Sequence, residues 1–191
     1  MFLIIVYLLA IVIANLNVSV FQAYAIHLLT AATLVNAAVF ISLDLTTRDT
    51  LHERWQGRVW RNMFRLVFAG SALSAITMFA FNAWLGLGLS ASAPIASFAA
   101  FATAGIADTF IYQLLHRQPR RMRMIGSNTV SAAVDSLVFP ILAFVVLAPV
   151  MPLEAALGIS LWQFIAKFGG GVVWTLILNS RFARRFEVQS A

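Results

Sequence analysis

The chain has 191 residues, the length of one ordinary domain, and it is 61% hydrophobic with only 10% charged residues, against roughly 25% charged in a soluble domain. The net charge of +6 comes from arginines clustered beside apolar runs, which is typical of membrane-flanking anchors and argues against nucleic-acid binding. The absence of cysteine excludes a disulfide framework and any Cys-ligated zinc or iron–sulfur site.

Long apolar segments define the predicted architecture. A helix that crosses the hydrocarbon core needs about 20 mostly apolar residues, and the chain contains six such segments, at roughly residues 1–20, 25–45, 62–84, 92–115, 125–149 and 154–180. None has the alternating pattern of a barrel strand, and lipid-spanning chains form either helices or closed barrels. We therefore predict an all-α polytopic membrane protein with a single six-helix transmembrane domain.

The boundary between the first two segments is the least distinct. Residues 14–24 are polar enough for an interfacial turn or an unwound helix end, because they include Asn15, Asn17, Ser19 and Gln22. The alternative is one long helix and an odd total of five spans.

Loop charges favour six spans. Arginines cluster in the predicted connectors 46–61 and 116–124 and again after the last segment, at Arg181, Arg184 and Arg185. The connectors near 17–25, 85–91 and 150–153 carry no Lys or Arg. Because positive charge is enriched on the cytoplasmic side, this alternation predicts that both termini are cytoplasmic.

Lys167 is the only lysine, and it lies inside the sixth predicted span. It is about 20 Å of helix from either end, which is too far for its side chain to reach the membrane interface. It therefore forms a structural ion pair with a buried Asp or lines a cavity, and we favour the cavity because intramembrane ionisable residues are usually functional. Gln163 lies one turn earlier on the same face.

Three aspartates also fall within predicted spans. Asp135 shares one helix face with Asn128 and Ser131, and this polar stripe faces either a site, which we favour, or an interhelical hydrogen-bond seam. Asp108 is about seven residues from the end of its segment and has the same two interpretations, site or structural pairing. Since three Asp accompany one Lys, at least one carboxylate is expected to hold a proton or to bind a cationic or donor-rich partner.

Asp44 lies closest to a predicted helix end. Arg48 follows it at i+4, so Asp44 forms either a helix-end salt bridge with Arg48 or part of a binding site. Asn36, eight residues earlier on a neighbouring face, would extend a polar lining.

Other candidate side chains carry weaker signals. His27, His52 and His116 are isolated in the sequence and are predicted to be interfacial, so we predict no metal site and no cofactor. Trp162 could stack on a planar ligand beside Gln163, although a place in an aromatic belt is the commoner role. No nucleophile, phosphate-binding or zinc motif indicates an enzyme.

The same intramembrane residues carry a family resemblance over roughly residues 36–180. Its elements are Asp-Leu-Thr-Thr-Arg at 44–48, Ser-Phe at 97–98 followed by Asp108, the stretch from Ser127-Asn128 to Asp135, and Gln163 with Lys167. In this order they resemble the VUT family, the queuosine-precursor transporters. These are bacterial inner-membrane proteins that take up 7-cyano-7-deazaguanine or its aminomethyl relative.

The resemblance implies a substrate and roles for the polar residues. A 7-deazaguanine ring presents adjacent N–H donors that suit a carboxylate, and an O6 acceptor that suits Lys167, Asn128 or Gln163. Its flat faces suit aromatic cover, for which the candidates are Phe98, Phe101, Phe139 and Trp162. Arg48 is a candidate cytoplasmic gate partner of Asp44.

We therefore predict a transporter for a 7-deazapurine base in the bacterial inner membrane. A second transport interpretation makes the chain a substrate-binding subunit that needs an energising partner, and a homo-oligomer is also open. An intramembrane enzyme would need a catalytic constellation that the sequence lacks. A structural protein would use the same charges only to pair helices.

Overall fold

The computed structural model of the protein describes residues 2–24, 28–55, 58–87 and 91–180. In these ranges the helices are α1 (Phe2–Tyr24), α2 (Leu29–Asn36), α3 (Ser42–Arg54), α4 (Val59–Trp84), α5 (Ser92–Leu114), α6 (Arg120–Ile141) and α7 (Leu153–Leu178). A π-helical segment, Ala37–Ile41, joins α2 to α3, and a second one, Leu142–Leu147, extends α6.

Six continuous helical elements within the described ranges are long and apolar enough to cross a membrane. They are Phe2–Tyr24, Leu29–Arg54, Val59–Trp84, Ser92–Leu114, Arg120–Leu147 and Leu153–Leu178. The predicted all-α fold with six spanning helices is confirmed. The cytoplasmic placement of both termini stays a prediction.

The first helix corrects one expectation. It runs unbroken to Tyr24, so the polar residues 14–24 form no turn. Instead, the Asn15 amide donates to the Ser74 carbonyl oxygen at 2.9 Å, and Ser19 Oγ donates to Asn82 at 2.9 Å. These residues are an interhelical seam between α1 and α4. The second span begins at Leu29, and residues 25–27, among them His27, lie outside the described residues.

The second spanning helix corrects another expectation. It continues to Arg54, so residues 46–54 are helix rather than connector. The stretch looked like a loop because it is polar, but Thr46, Thr47, Arg48 and Asp49 are all buried by the surrounding helices. Arg48 therefore lies in the protein interior and not at the membrane surface.

The remaining described arginines collect at one end of the bundle, which we call the Arg-rich end. It comprises the turns between α3 and α4 and between α5 and α6 and the adjoining helix ends, with Arg54, Arg58, Arg61, Arg65, Arg117, Arg120, Arg121 and Arg123. The predicted C-terminal cluster of Arg181, Arg184 and Arg185 lies outside the described residues. The opposite end carries the turn at 85–87 and residues 148–152.

Helix α7 packs closely against the π-helical segment 37–41. Ser42 Oγ donates to the carbonyl oxygen of Lys167 at 2.8 Å, and Trp174 Nε1 donates to that of Val39 at 2.9 Å. A Cβ atom added to Gly170 would overlap the Ala38 carbonyl oxygen. The glycine run thus lies within the continuous helix α7 and allows close backbone approach.

Gly170→Ala is expected to lower the free energy of unfolding by about 1–3 kcal/mol, because the backbone of the π-helical segment must move to admit a methyl group. Gly169→Ala is the matched control, since nothing lies within 4 Å of its added Cβ. Reversible unfolding in mixed micelles measures both. Equal stability of the two variants would contradict the close contact.

Candidate functional site

A central cavity is lined by residues of all six spanning helices. Its polar wall is made of Asn15, Thr33, Asn36, Asp44, Ser74, Ser97, Asp135, Gln163 and Lys167, and its aromatic wall of Phe40, Phe101 and Phe139. The cavity volume open to the centre of a water-sized sphere is about 120 Å³. One water needs roughly 10–15 Å³ on this measure, so the cavity has room for about eight to twelve water-sized groups.

Lys167 anchors one side of the cavity through three hydrogen bonds. Its ammonium group donates to Asp135 Oδ2 at 2.6 Å, Ser136 Oγ at 3.1 Å and Gln163 Oε1 at 3.2 Å. Only 1% of the Lys167 side chain and 15% of Asp135 is exposed. All three ammonium donors are therefore used, and the Gln163 amide nitrogen is left as the donor that this cluster offers a ligand.

Three acceptor atoms in the cavity wall have no hydrogen-bond donor among the described residues. They are both carboxylate oxygens of Asp44 and the amide oxygen of Asn36. Asp44 is buried, and its nearest cation is Arg48, with Nη2 at 3.7 Å. Because an unsatisfied buried carboxylate is costly, Asp44 is suited to accept hydrogen bonds from a ligand.

Arg48 lies one helical turn from Asp44, behind the cavity wall. Its Nη2 donates weakly to Ser131 Oγ at 3.4 Å, and its guanidinium lies 5.2 Å from the centre of the Phe101 ring. Gly105 makes room for this group, since a Cβ there would be 2.6 Å from Arg48 Nη1. The predicted salt bridge between Asp44 and Arg48 is present, but it is buried in the core.

Two further buried carboxylates surround Arg48. Asp49 accepts from Ser127 Oγ at 3.0 Å, whereas neither oxygen of Asp108 has a hydrogen bond among the described residues. Asp108 is also close to the Ser127 hydroxyl and interacts electrostatically with Asp49 and Arg48. We call Asp44, Arg48, Asp49 and Asp108 the buried charge cluster.

A second polar group connects this cluster to the Arg-rich end. Glu53 accepts from Tyr112 and pairs with Arg123, and the Arg123 guanidinium lies 5.1 Å from the Tyr112 ring centre. His52 Nε2 is 2.6 Å from Gln113 Nε2. His52, near the end of α3, is 2% exposed, whereas His116 is exposed; their placement at the membrane interface stays a prediction.

The structure separates the predicted site residues into groups. Asn36, Asp44, Asp135, Gln163 and Lys167 line the central cavity. Asp108, Asn128 and Ser131 are buried outside that wall, Asn128 beside Thr46 and Ser131 beside Arg48.

The predicted aromatic residues are also divided. Phe101 and Phe139 line the cavity, whereas Phe98 is partly exposed and lies outside the lining. Trp162 is 62% exposed and lines an outer groove between α2 and α7. Thr33 and Gln163 border both the groove and the cavity, so the groove that Trp162 lines adjoins the cavity.

Sequence reasoning missed part of the wall. Asn15 was assigned to a turn, and Phe40, Ser74 and Ser97 were not singled out as lining residues. Asn15 donates to both Ser74 Oγ, at 3.2 Å, and Thr77 Oγ1, at 2.7 Å, and Ser74 bonds Ser97 at 2.8 Å. The one available signal in the sequence was the amide side chain of Asn15 inside an otherwise apolar span. Such a polar group is destabilising in the membrane unless it has a hydrogen-bond partner.

Six spanning helices around a polar and aromatic cavity define a multi-pass membrane protein. The family model described as "Putative vitamin uptake transporter" matches residues 1–179, and the chain belongs to that family. No significant match was found among curated proteins or among solved structures.

Proposed function

We propose that the protein imports a queuosine precursor, 7-cyano-7-deazaguanine or a related 7-deazapurine base, across the bacterial inner membrane. The observation that supports this most is the buried Asp44 carboxylate, which lies in the cavity wall without a hydrogen-bond donor among the described residues. Guanine-like bases present two adjacent N–H donors, which match the two oxygens of a carboxylate.

The rest of the cavity complements such a base. The Gln163 amide nitrogen suits the O6 acceptor, and the Asn36 amide oxygen suits a further ring or exocyclic N–H donor. Phe40, Phe101 and Phe139 supply apolar cover for the flat faces. An adenine-like base lacks the N1–H donor and would leave Asp44 unsatisfied, so we expect strong discrimination against it.

The bundle provides two ends for alternating access. The groove beside Trp162 adjoins the cavity through Thr33 and Gln163, towards the end opposite the arginines. At the Arg-rich end, which we place in the cytoplasm on the positive-inside rule, Glu53 of α3 contacts Tyr112 of α5 and Arg123 of α6. Import then requires that the side with the Trp162 groove opens first and that the Arg-rich end opens afterwards.

The proposal is tested in a bacterial strain that neither makes nor imports queuosine precursors. Expression of the chain with nanomolar 7-cyano-7-deazaguanine in the medium is expected to restore queuosine in tRNA, scored by gel mobility. The matched control is Glu154→Gln, an exposed residue at the start of α7, which should rescue equally. Membrane expression without rescue would count against this substrate.

A further inference from the structure

The buried charge cluster holds more negative than positive charge. Asp44, Asp49 and Asp108 surround the single guanidinium of Arg48, and all four side chains are at most 2% exposed. The neighbouring Lys167 does not compensate, because it is paired with Asp135 at 2.6 Å. Tyr7 from α1 also faces the cluster, and it is neutral at physiological pH. Two carboxylates are therefore left without a countercharge.

Hydrogen bonding shows where a proton is needed. The Ser127 hydroxyl, which has one proton, lies between Asp49 and Asp108 and is directed at Asp49. Neither oxygen of Asp108 receives a hydrogen bond from the described residues. Two adjacent buried carboxylates with one donor between them are satisfied when they share a proton, since like charges at close range resist ionising together.

The cluster is better suited to a proton than to a metal cation. Arg48 lies 3.7 Å from Asp44 and would repel a cation bound beside it, whereas a proton becomes part of the carboxyl group. Among the described residues, no three His, Asp or Glu side chains are placed to hold a metal ion together.

One face of α3 links the substrate cavity to the Arg-rich end. Asp44, Arg48 and His52 follow at i, i+4 and i+8, and Asp49 and Glu53 flank them. From Asp44, in the cavity wall, to Glu53 the helix rises about 14 Å. Glu53 and Arg123 reach the surface, with 16% and 21% of their side chains exposed, and they line a polar pocket with His52, Tyr112 and Gln113.

We propose that the buried charge cluster binds a proton and carries it with the substrate, so that the protein is a proton-coupled symporter. This inference rests on the proposed function. A ligand whose donors bind Asp44 fixes a negative charge there, which strengthens the attraction of the Asp49 and Asp108 pair for a proton. The proton then leaves along the α3 face through His52 and Glu53 when the Arg-rich end opens.

The test uses the purified full chain in liposomes, with the membrane potential clamped at zero. With one proton per substrate, a gradient of one pH unit should drive about tenfold accumulation of 7-cyano-7-deazaguanine, and an entrapped pH dye should report acidification during uptake. Asp108→Asn should lose accumulation and acidification but keep exchange of labelled for unlabelled substrate, because Asp108 lies outside the cavity wall. Glu154→Gln should keep all three activities.

The outcomes separate the two proposals. Wild-type exchange without acidification, or accumulation driven by a sodium gradient instead, would overturn proton coupling and leave the proposed function standing. Asp108→Asn that still accumulates substrate in response to pH would exclude this residue as the carrier. If Asp108→Asn fails to fold, Asp49→Asn and the wild-type pH profile decide the question. Absence of wild-type exchange would contradict the proposed function and the coupling together.

Discussion

Lys167→Met is expected to abolish uptake and to lower the free energy of unfolding by about 3–5 kcal/mol, since it leaves the carboxylate of Asp135 without its cation in a mostly buried setting. Asp135→Asn should act similarly through the unpaired ammonium group. The double variant removes both charges and should regain stability to within about 1 kcal/mol of the wild type. If Lys167 and Asp135 help to bind substrate, the double variant regains stability but does not transport.

This double-variant cycle distinguishes a site from a structural ion pair. Unfolding in mixed micelles measures stability, and queuosine in tRNA measures uptake in cells. Restored stability together with restored uptake would mean that Lys167 and Asp135 only pair α7 with α6. In that case the ligand would have to be recognised by Asp44, Asn36 and Gln163 without them.

Arg48→Met should have a comparable effect on stability and should also stop transport. Arg48 is 1% exposed and is the only cation inside the buried charge cluster as described. Its removal leaves up to three carboxylates in a low-dielectric core, which costs about 3–5 kcal/mol. Arg65→Gln is the control, because Arg65 is exposed on α4, and a change within about 0.5 kcal/mol is expected there.

Adding Asp108→Asn to Arg48→Met should recover part of the lost stability, because one uncompensated carboxylate is then neutral. The free energies of unfolding of the two single variants and the double variant give the coupling between the residues. Additive losses would show that Arg48 and Asp108 do not interact, which would contradict the cluster.

The number of spans and the position of Asp44, Asp108, Asp135 and Lys167 within them were accessible from sequence, because apolar length and intramembrane charge are local signals. The depth of Arg48 was not. A polar helix end buried by other helices has the same composition as a loop, and only the packing of α3 against its neighbours reveals its place. For the same reason Asp49, His52 and Glu53 were not identified as parts of a connected group.

The aromatic lining shows the same limit. Phe98 and Phe101 are three residues apart on α5 and equally apolar, yet only Phe101 faces the cavity. Which face of a lipid-spanning helix points inward is set by its neighbours, since both faces are apolar. The role of Asn15 likewise depends on tertiary packing, because α1 runs beside α4 and the Asn15 amide donates to Ser74 and Thr77 there.

Initial uptake of labelled 7-cyano-7-deazaguanine by cells of the rescue strain tests the central claim most directly, with unlabelled guanine and adenine as competitors. The account predicts saturable uptake that depends on the chain, is lost in Lys167→Met and in the double variant with Asp135→Asn, and is unaffected by excess adenine. Equal uptake with and without the chain, at verified membrane expression, would contradict it.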